Sequence, residues 1–217
     1  MAICYIVASM KTAYKICKKS GDFVIAADAG FMQDTGAEPD VVIGDFDSLG
    51  FVPPGEHVQV HPKQKDDTDM MLAVKLGLAK GYREFVLLGG IGGRFDHTMA
   101  NVQALAYLHE HGASGALIGD ATDIFLIGSS PDKGNNVCNG ATKDRINFPK
   151  ETEGIFSVFS YGKNAAGVTI SGGEYEVEQA TLTDAFPLGV SNSFVGKEVT
   201  ISVGEGRLIV VHEKTDV

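Results

Sequence analysis

The sequence predicts an α/β protein: an N-terminal, mostly parallel α/β sandwich (Rossmann-like), followed by a smaller all-β sandwich domain. Three observations carry this. Up to about residue 128, near-continuous apolar runs alternate with helix-like stretches, the pattern of a parallel sheet covered on both faces. After residue 154 the runs are short, β-branched and partly alternating, as in Val199, Ile201 and Val203, with Gly172-Gly173 and Gly204 to Gly206 between them. The stretch between, containing NNVCNGATKDRIN, is polar and aperiodic. Residues 1–130 are therefore expected to form an α/β domain, 131–153 a linker or loop, and 154–217 a β-sandwich.

Each element follows from its local pattern. Ile3 to Ala8, Phe23 to Ala27, Val41 to Ile43 and Phe85 to Leu88 are apolar runs of strand length. Lys11 to Lys19 reads as a short helix. Thr68 to Lys80 reads as a longer one, with Met71, Leu72, Leu76 and Ala79 recurring at spacings of one, four and three, and Gly81 as a C-cap. Thr98 to His111 repeats the pattern with Met99, Val102, Leu105, Ala106 and Leu108, ended by Gly112. Ala116 to Gly119 and Ile124 to Ile127 are further short strands. In the second half, strands are expected at Ile155 to Tyr161, Val168 to Ser171, Tyr175 to Val177, Thr181 to Thr183, Glu198 to Val203 and Arg207 to His212.

Composition narrows the function. A formal charge of -10 over 217 residues argues against a nucleic-acid partner, which needs a basic surface. The same charge suits a cationic ligand, and it also keeps a protein soluble. No run of eighteen apolar residues occurs, so no membrane span is expected. The opening MAICYIVASM lacks a basic leader and a cleavage site, and reads as a first strand. Three cysteines without metal-ligand spacing suit a reducing cytoplasm.

The chemistry lies in the acids that follow the strands. VVIGDFDSLG ends an apolar run on Asp45 and Asp47, with no lysine or arginine within ten residues on either side. Asp28 follows FVIAA, Asp66 and Asp69 open a helix in KDDTDMM, and Asp96 follows LLGGIGGRF. In open α/β sheets ligands collect outside the carboxyl ends of the strands, so these acids are expected to share one crevice. Taken singly, each also suits a helix N-cap or a turn. Gathered together, they repel one another unless a cation intervenes, and all-oxygen ligands suit Mg²⁺. Magnesium held by one or two carboxylates completes its shell with water and phosphate, which calls for a phosphate-bearing substrate. Gly89, Gly90, Gly92 and Gly93, then Arg94 and a helix start, offer a place for that phosphate. The turn is neither the dinucleotide fingerprint, since Phe95 replaces its third glycine, nor a P-loop, since no GK[ST] follows.

Read in order, ADAG, PDVVIGDFDSL, KDDTDMMLAV, LLGGIGGRFDHTMANVQAL and DAFPLGVSNSF resemble the thiamine pyrophosphokinase (thiamine diphosphokinase) family. The resemblance implies an N-terminal α/β domain, a C-terminal β-sandwich and a homodimeric enzyme with thiamine bound between protomers. It would move a pyrophosphoryl group from ATP to the hydroxyl of thiamine, with Mg²⁺ at an aspartate cluster. By motif position it implies Asp45, Asp47, Asp66, Asp69 and Asp96 as catalytic acids, with Asp45, Asp47, Asp69 and Asp96 nearest the metal. It adds Asp28 to the nucleotide site, and Tyr175, Ser191 and Asn192 to the thiamine pocket. The chain departs from the family pattern in ending its first strand on ASMK, in having no tryptophan, and in its long polar stretch 128–154. From the residues alone, Ser191 and Asn192 also read as a β-turn, and Tyr175 as a sandwich-face aromatic. Two other functions use the same features: a Mg²⁺-dependent phosphohydrolase or nucleotidyltransferase, and a non-catalytic thiamine or nucleotide sensor.

Overall fold

The computed structural model describes residues 2–62, 64, 66–129 and 144–215. Its contacts divide the chain into two units, Met1–Asp120 and Ala121–Val217. Lys65, before the KDDTDMM acids, and Cys138, one of the three cysteines, lie outside the described residues.

The first unit is built on parallel strands: β1 (Ile3–Val7), β2 (Phe23–Ala27), β3 (Val41–Gly44), β4 (Val58–Val60), β5 (Glu84–Leu88) and β6 (Ser114–Ile118). Their order in the sheet is β6-β5-β1-β2-β3-β4. The chain runs outward from β1 to β4. Helix α1 (Asp69–Ala79) then returns it to β5 on the other side of β1, and α2 (Phe95–Glu110) carries it to β6. The strand order therefore reverses between β1 and β5, which fixes where a ligand crevice opens. The core strands β1, β2, β3 and β5 are almost wholly buried, as their unbroken apolar runs require.

The helices start and stop for local reasons. Thr68 caps α1, its hydroxyl accepting the Met71 N–H at 3.2 Å, and Gly81 follows Lys80 with φ 90°. Helix α1 packs on β1, β2, β3 and α2, and α2 packs on β6. Among the described residues these two α-helices are the only ones, so the chain is β-rich. The helix expected at Lys11 to Lys19 does not form. Asp120 accepts from the Ala13 N–H at 2.8 Å, Ile16 N–H donates to the Thr35 carbonyl at 2.7 Å, and Lys15 and Lys18 reach Asp34 and Asp40. These long-range ties hold the segment open and outweigh its local propensity.

The second unit contains two antiparallel sheets, ordered β12-β9-β14-β7 and β11-β10-β13-β8. Their strands are β7 (Thr122–Gly128), β8 (Arg145–Phe148), β9 (Ile155–Ser160), β10 (Ala165–Ser171), β11 (Val177–Leu182), β12 (Gly189–Ser193), β13 (Val199–Ser202) and β14 (Arg207–Glu213). The sheets meet through aromatic side chains. Phe148 of β8 touches Phe125, Phe156, Phe194 and His212, which makes the unit a β-sandwich.

Three sequence expectations change here. The stretch 128–154 is not all loop, because Ile146 and Phe148 turn inward on β8 while Arg145 stays exposed. Strand β7 pairs with β14 and counts with the second unit. The two short strands expected at 175–177 and 181–183 are one strand, β11. No helix among the described residues is long and apolar enough to cross a membrane.

Burial also sorts the thiols. Cys4 is fully buried, and its pKa is pushed up to about 12, chiefly by desolvation and then by the charge of Asp40. Cys17 is exposed. Mass-mapped alkylation of the native protein at pH 8 should therefore label Cys17 and spare Cys4 until the chain is denatured.

Candidate active site

The cavity sits where the strand order reverses. It measures 590 Å³ and opens beyond the carboxyl ends of β1, β2, β3 and β5. Asp28, Asp45, Asp67 and Asp69 line it, as do Gly89, Gly90, Gly92, Gly93 and Arg94 of the glycine-rich turn. Carboxylates from three separate stretches of sequence therefore share one crevice with that turn.

The GDFDS stretch shows how β3 presents an acid there. Phe46 takes a left-handed backbone, φ 59°, and is 2% exposed. Its ring joins Ala26 and Val42 in a cluster that Phe31, Leu49 and Val58 pack against. Such a backbone is unusual for a bulky residue and persists only when its surroundings over-determine it. Here the buried ring anchors the turn, and the Phe46 carbonyl accepts from the N–H groups of Leu49 and Gly50. The flanking acids then separate. Asp45 enters the cavity wall, half-buried, and its Oδ1 accepts the Asp47 N–H at 3.2 Å. Asp47 is exposed and does not line the cavity.

Asp28 is constrained by its backbone and by one neighbour. It begins a single 3₁₀ turn, Asp28–Met32, with φ 49°. Ser48 Oγ donates to its Oδ2, while Oδ1 is buried with no hydrogen-bond partner among the described residues. Gly44 leaves room for it, because a Cβ there would lie 3.0 Å from the Asp28 Cα. Gly44→Ala should thus displace Asp28, lowering turnover more than it lowers the melting temperature. Paired kinetics and calorimetry check this.

At α1 the capping reading is answered by Thr68, so Asp69 is not the cap and lines the cavity from the first turn. Asp66 and Asp69 are the acids expected here, and Asp67 is not among them. Asp66 is exposed and off the cavity, while Asp67 lines it and is held by Lys75 Nζ at 2.6 Å. The Asp67 hydrogen bond is also what raises the Lys75 pKa. Ser9, Met10, Ser48 and Asn101 are further wall residues that the sequence reading did not select.

Arg94 and Asp96 form a local pair across the start of α2. Arg94 Nε and an Nη donate to the two Asp96 oxygens at 3.1 and 2.5 Å, and both side chains are exposed. Asp96 does not itself line the cavity, whereas Arg94 and His97 do. The Arg94 hydrogen bond lowers the Asp96 pKa below the ordinary carboxylate value. A lowered folded pKa stabilises above the unfolded value and is lost as pH falls through the folded one. Arg94→Met should return Asp96 towards its ordinary value in a carboxyl NMR titration. In the glycine turn, Gly92 N–H already donates to Thr98 Oγ1 at 3.2 Å. Asn101, itself buried, fixes the turn from below through Nδ2 to the Gly90 carbonyl at 2.7 Å.

In the second unit Tyr175 is exposed and Asn192 is buried. Ser191 is exposed with φ 59°, and its N–H donates to Ser157 Oγ at 3.0 Å.

The carboxylates fit a magnesium ion by chemistry more than by a preformed cage. Among the described residues no three Asp, Glu, His or Cys side chains come together as a metal-holding group. Magnesium usually takes only one or two carboxylates and fills the rest of its shell with water and phosphate, so the all-oxygen donor set that Asp28, Asp45 and Asp69 bring to the cavity lining suits it.

Comparison with known proteins agrees with this architecture. Residues 14–115 match the family model "Thiamin pyrophosphokinase, catalytic domain", and residues 143–208 match "Thiamin pyrophosphokinase, vitamin B1 binding domain". The two matches fall one in each unit and together span most of the chain. The chain belongs to the thiamin pyrophosphokinase family. It is accordingly an enzyme of the pyrophosphoryl transferase class. A thiamine pyrophosphokinase of Bacillus subtilis is 25% identical over 184 residues, covering 82% of this chain and 80% of its own. The crystal structure of the B. subtilis thiamine pyrophosphokinase superposes with a TM-score of 0.80 at 22% identity, covering all of both chains. That of Geobacillus thermodenitrificans gives 0.76 at 20% identity, over 99% of this chain and 98% of its own. At these identities the structural likeness is one of fold.

Proposed function

We propose that the protein transfers the pyrophosphoryl group of ATP to the hydroxyl of thiamine, giving thiamine diphosphate and AMP. The observation that carries this reading is the cavity at the strand-order reversal, where Asp28, Asp45, Asp67 and Asp69 face the glycine turn and Arg94. That reversal also supports a Rossmann-like reading of the first unit.

The thiamine hydroxyl oxygen attacks the β-phosphorus of ATP. A new oxygen–phosphorus bond forms, and the bond from the β-phosphorus to the α,β-bridging oxygen breaks. AMP leaves with that electron pair. The hydroxyl proton passes to a carboxylate of the cluster, a proton transfer that needs one acid held ionised in the cavity. Such transfer is mostly a matter of positioning and charge neutralisation. Asp45 and Asp69, both in the cavity lining together with Asp28, would hold Mg²⁺. Asp47 and Asp96 would join through water or by turning inward, and Asp66 would act from outside the first layer. Magnesium, when bound, offsets charge on the phosphate oxygens. Arg94 leaves Asp96 to grip phosphate bidentately, and Gly89, Gly90, Gly92 and Gly93 let the backbone approach it.

Tyr175 provides an aromatic wall for thiamine in the second unit, with Ser191 and Asn192 beside it. A homodimer is part of this reading. Strand β12 is an edge strand, and exposed Phe186, Leu188, Val190 and Val195 lie on or near it, an apolar surface of the kind that second copies cover. Free thiols at Cys4 and Cys17 suit the cytoplasm.

Incubation with ATP, Mg²⁺ and thiamine tests the proposal. AMP formed only in the presence of thiamine supports it. Phosphate or pyrophosphate released without thiamine supports a phosphohydrolase, and binding without turnover supports a sensor.

A further inference from the structure

The SN pair of the second unit does two different jobs, and the buried member faces the protein. Asn192 is 6% exposed. Its side-chain oxygen accepts the Tyr175 N–H at 3.0 Å and the Ser193 N–H at 2.9 Å. Its Nδ2 donates to the Tyr175 carbonyl at 2.6 Å. One amide side chain therefore satisfies both backbone groups of a residue seventeen positions earlier, as a neighbouring strand would. The pattern fixes the amide orientation, because two N–H groups meet its oxygen and a carbonyl meets its nitrogen.

The rest of the turn is held the same way. Gly173 bridges Phe194, Glu174 N–H donates to the Ser193 carbonyl at 3.0 Å, and Gly172 N–H donates to Glu176 Oε1 at 2.6 Å. A Cβ on Gly173 would stand 3.0 Å from both Asn192 Oδ1 and the Phe156 ring, so the turn is packed down on Asn192 and the aromatic core. Yet the Tyr175 side chain is 64% exposed. A rigid backbone thus carries a projecting ring.

We propose that Asn192 is a positioning residue, which acts on thiamine only by clamping the Tyr175 backbone so that the ring is presented from a fixed point of attachment. This rests on the reading of Tyr175 as the thiamine wall. A backbone held in place before binding loses less freedom on binding, so the clamp contributes to affinity and not to the transfer step.

The test combines a readout of the clamp with a readout of its effect. Amide hydrogen exchange at Tyr175 should be slow in the wild type and fast in Asn192→Ala. The thiamine KM should rise about ten-fold in Asn192→Ala, with kcat and the ATP KM within about two-fold. In a Tyr175→Ala background the same change should add less than about two-fold, because the clamp then holds nothing that stacks. If Asn192→Ala fails to fold, Asn192→Asp serves instead. It keeps the acceptor, loses the donor, and should show the same pattern in smaller measure. The chain has no tryptophan, so Tyr175→Trp adds a single fluorescent reporter. Thiamine should quench it, and Asn192→Ala should shift that titration to weaker binding. Equal KM effects with and without Tyr175, or unchanged exchange at Tyr175, overturn the clamp. No thiamine turnover by the wild type, together with no quenching by thiamine in Tyr175→Trp, defeats the underlying function, while exchange at Tyr175 in the wild type still reads the clamp by itself.

Discussion

Asp45→Asn should lower kcat for thiamine-dependent AMP formation by about 10²–10³-fold, the scale of losing one pre-placed charge-stabilising group, while the melting temperature moves by only a few degrees. The substitution keeps size and the Oδ1 that accepts the Asp47 N–H, so the GDFDS turn survives. What is lost is a negative charge in a cavity also lined by Gly89, Gly90, Gly92, Gly93 and Arg94. The loss should be accompanied by a higher Mg²⁺ requirement. Asp47→Asn is the internal comparison, since Asp47 is exposed and off the cavity wall. If Asp45→Asn retains full turnover, or loses activity only in proportion to unfolding, Asp45 is a turn residue and nothing more.

Phe46→Ala should have the largest effect on stability. The ring is buried in the cluster with Ala26 and Val42. Truncating a buried phenylalanine costs about 3–5 kcal/mol in lost transfer energy and cavity formation. For a chain of this size that corresponds to a fall of roughly 10 °C in the transition of the first unit. The function should suffer beyond the folding loss, because the buried ring is what holds a left-handed backbone between Asp45 and Asp47. Without it the turn relaxes and Asp45 swings from the wall. Phe46→Leu keeps most of the apolar volume and should fall between the two. Thermal melts checked against activity per folded molecule separate these effects. A Phe46→Ala protein with unchanged melting and normal turnover would show that the ring anchors nothing.

The reach of the sequence can be judged on particular residues. The strands β1, β2, β3 and β5 were legible because two-sided burial requires unbroken apolar runs, and α1 because Thr68 and Gly81 bracket it. The common crevice followed from one topological rule applied to acids at strand ends. The segment 11–19 misled because its lysines and apolar residues have helical spacing, while its partners Asp120, Thr35, Asp34 and Asp40 are distant in sequence. Strand β8 hid in a polar stretch, since only Ile146 and Phe148 mark it. Among adjacent acids, sequence could not say which one faces inward. Asp67 lines the cavity and Asp66 does not, because Thr68 takes the cap and sets the phase of the helix start. Likewise GDFDS announced two acids, but only the burial of Phe46 decides that Asp45 is the inner one. Asn192 was visible as half of an SN pair, yet its inward orientation depends on Tyr175 being brought back seventeen residues across the sandwich.

Whether the carboxylates at the strand-order reversal hold a magnesium polyphosphate is measured most directly by calorimetric titration with α,β-methylene ATP, whose α,β bridge cannot break. Wild-type protein should bind the analogue in Mg²⁺, bind it at least about ten-fold more weakly in EDTA, and lose that magnesium dependence in Asp45→Asn. Equal affinity with and without Mg²⁺, or a magnesium dependence untouched by Asp45→Asn, would contradict the account.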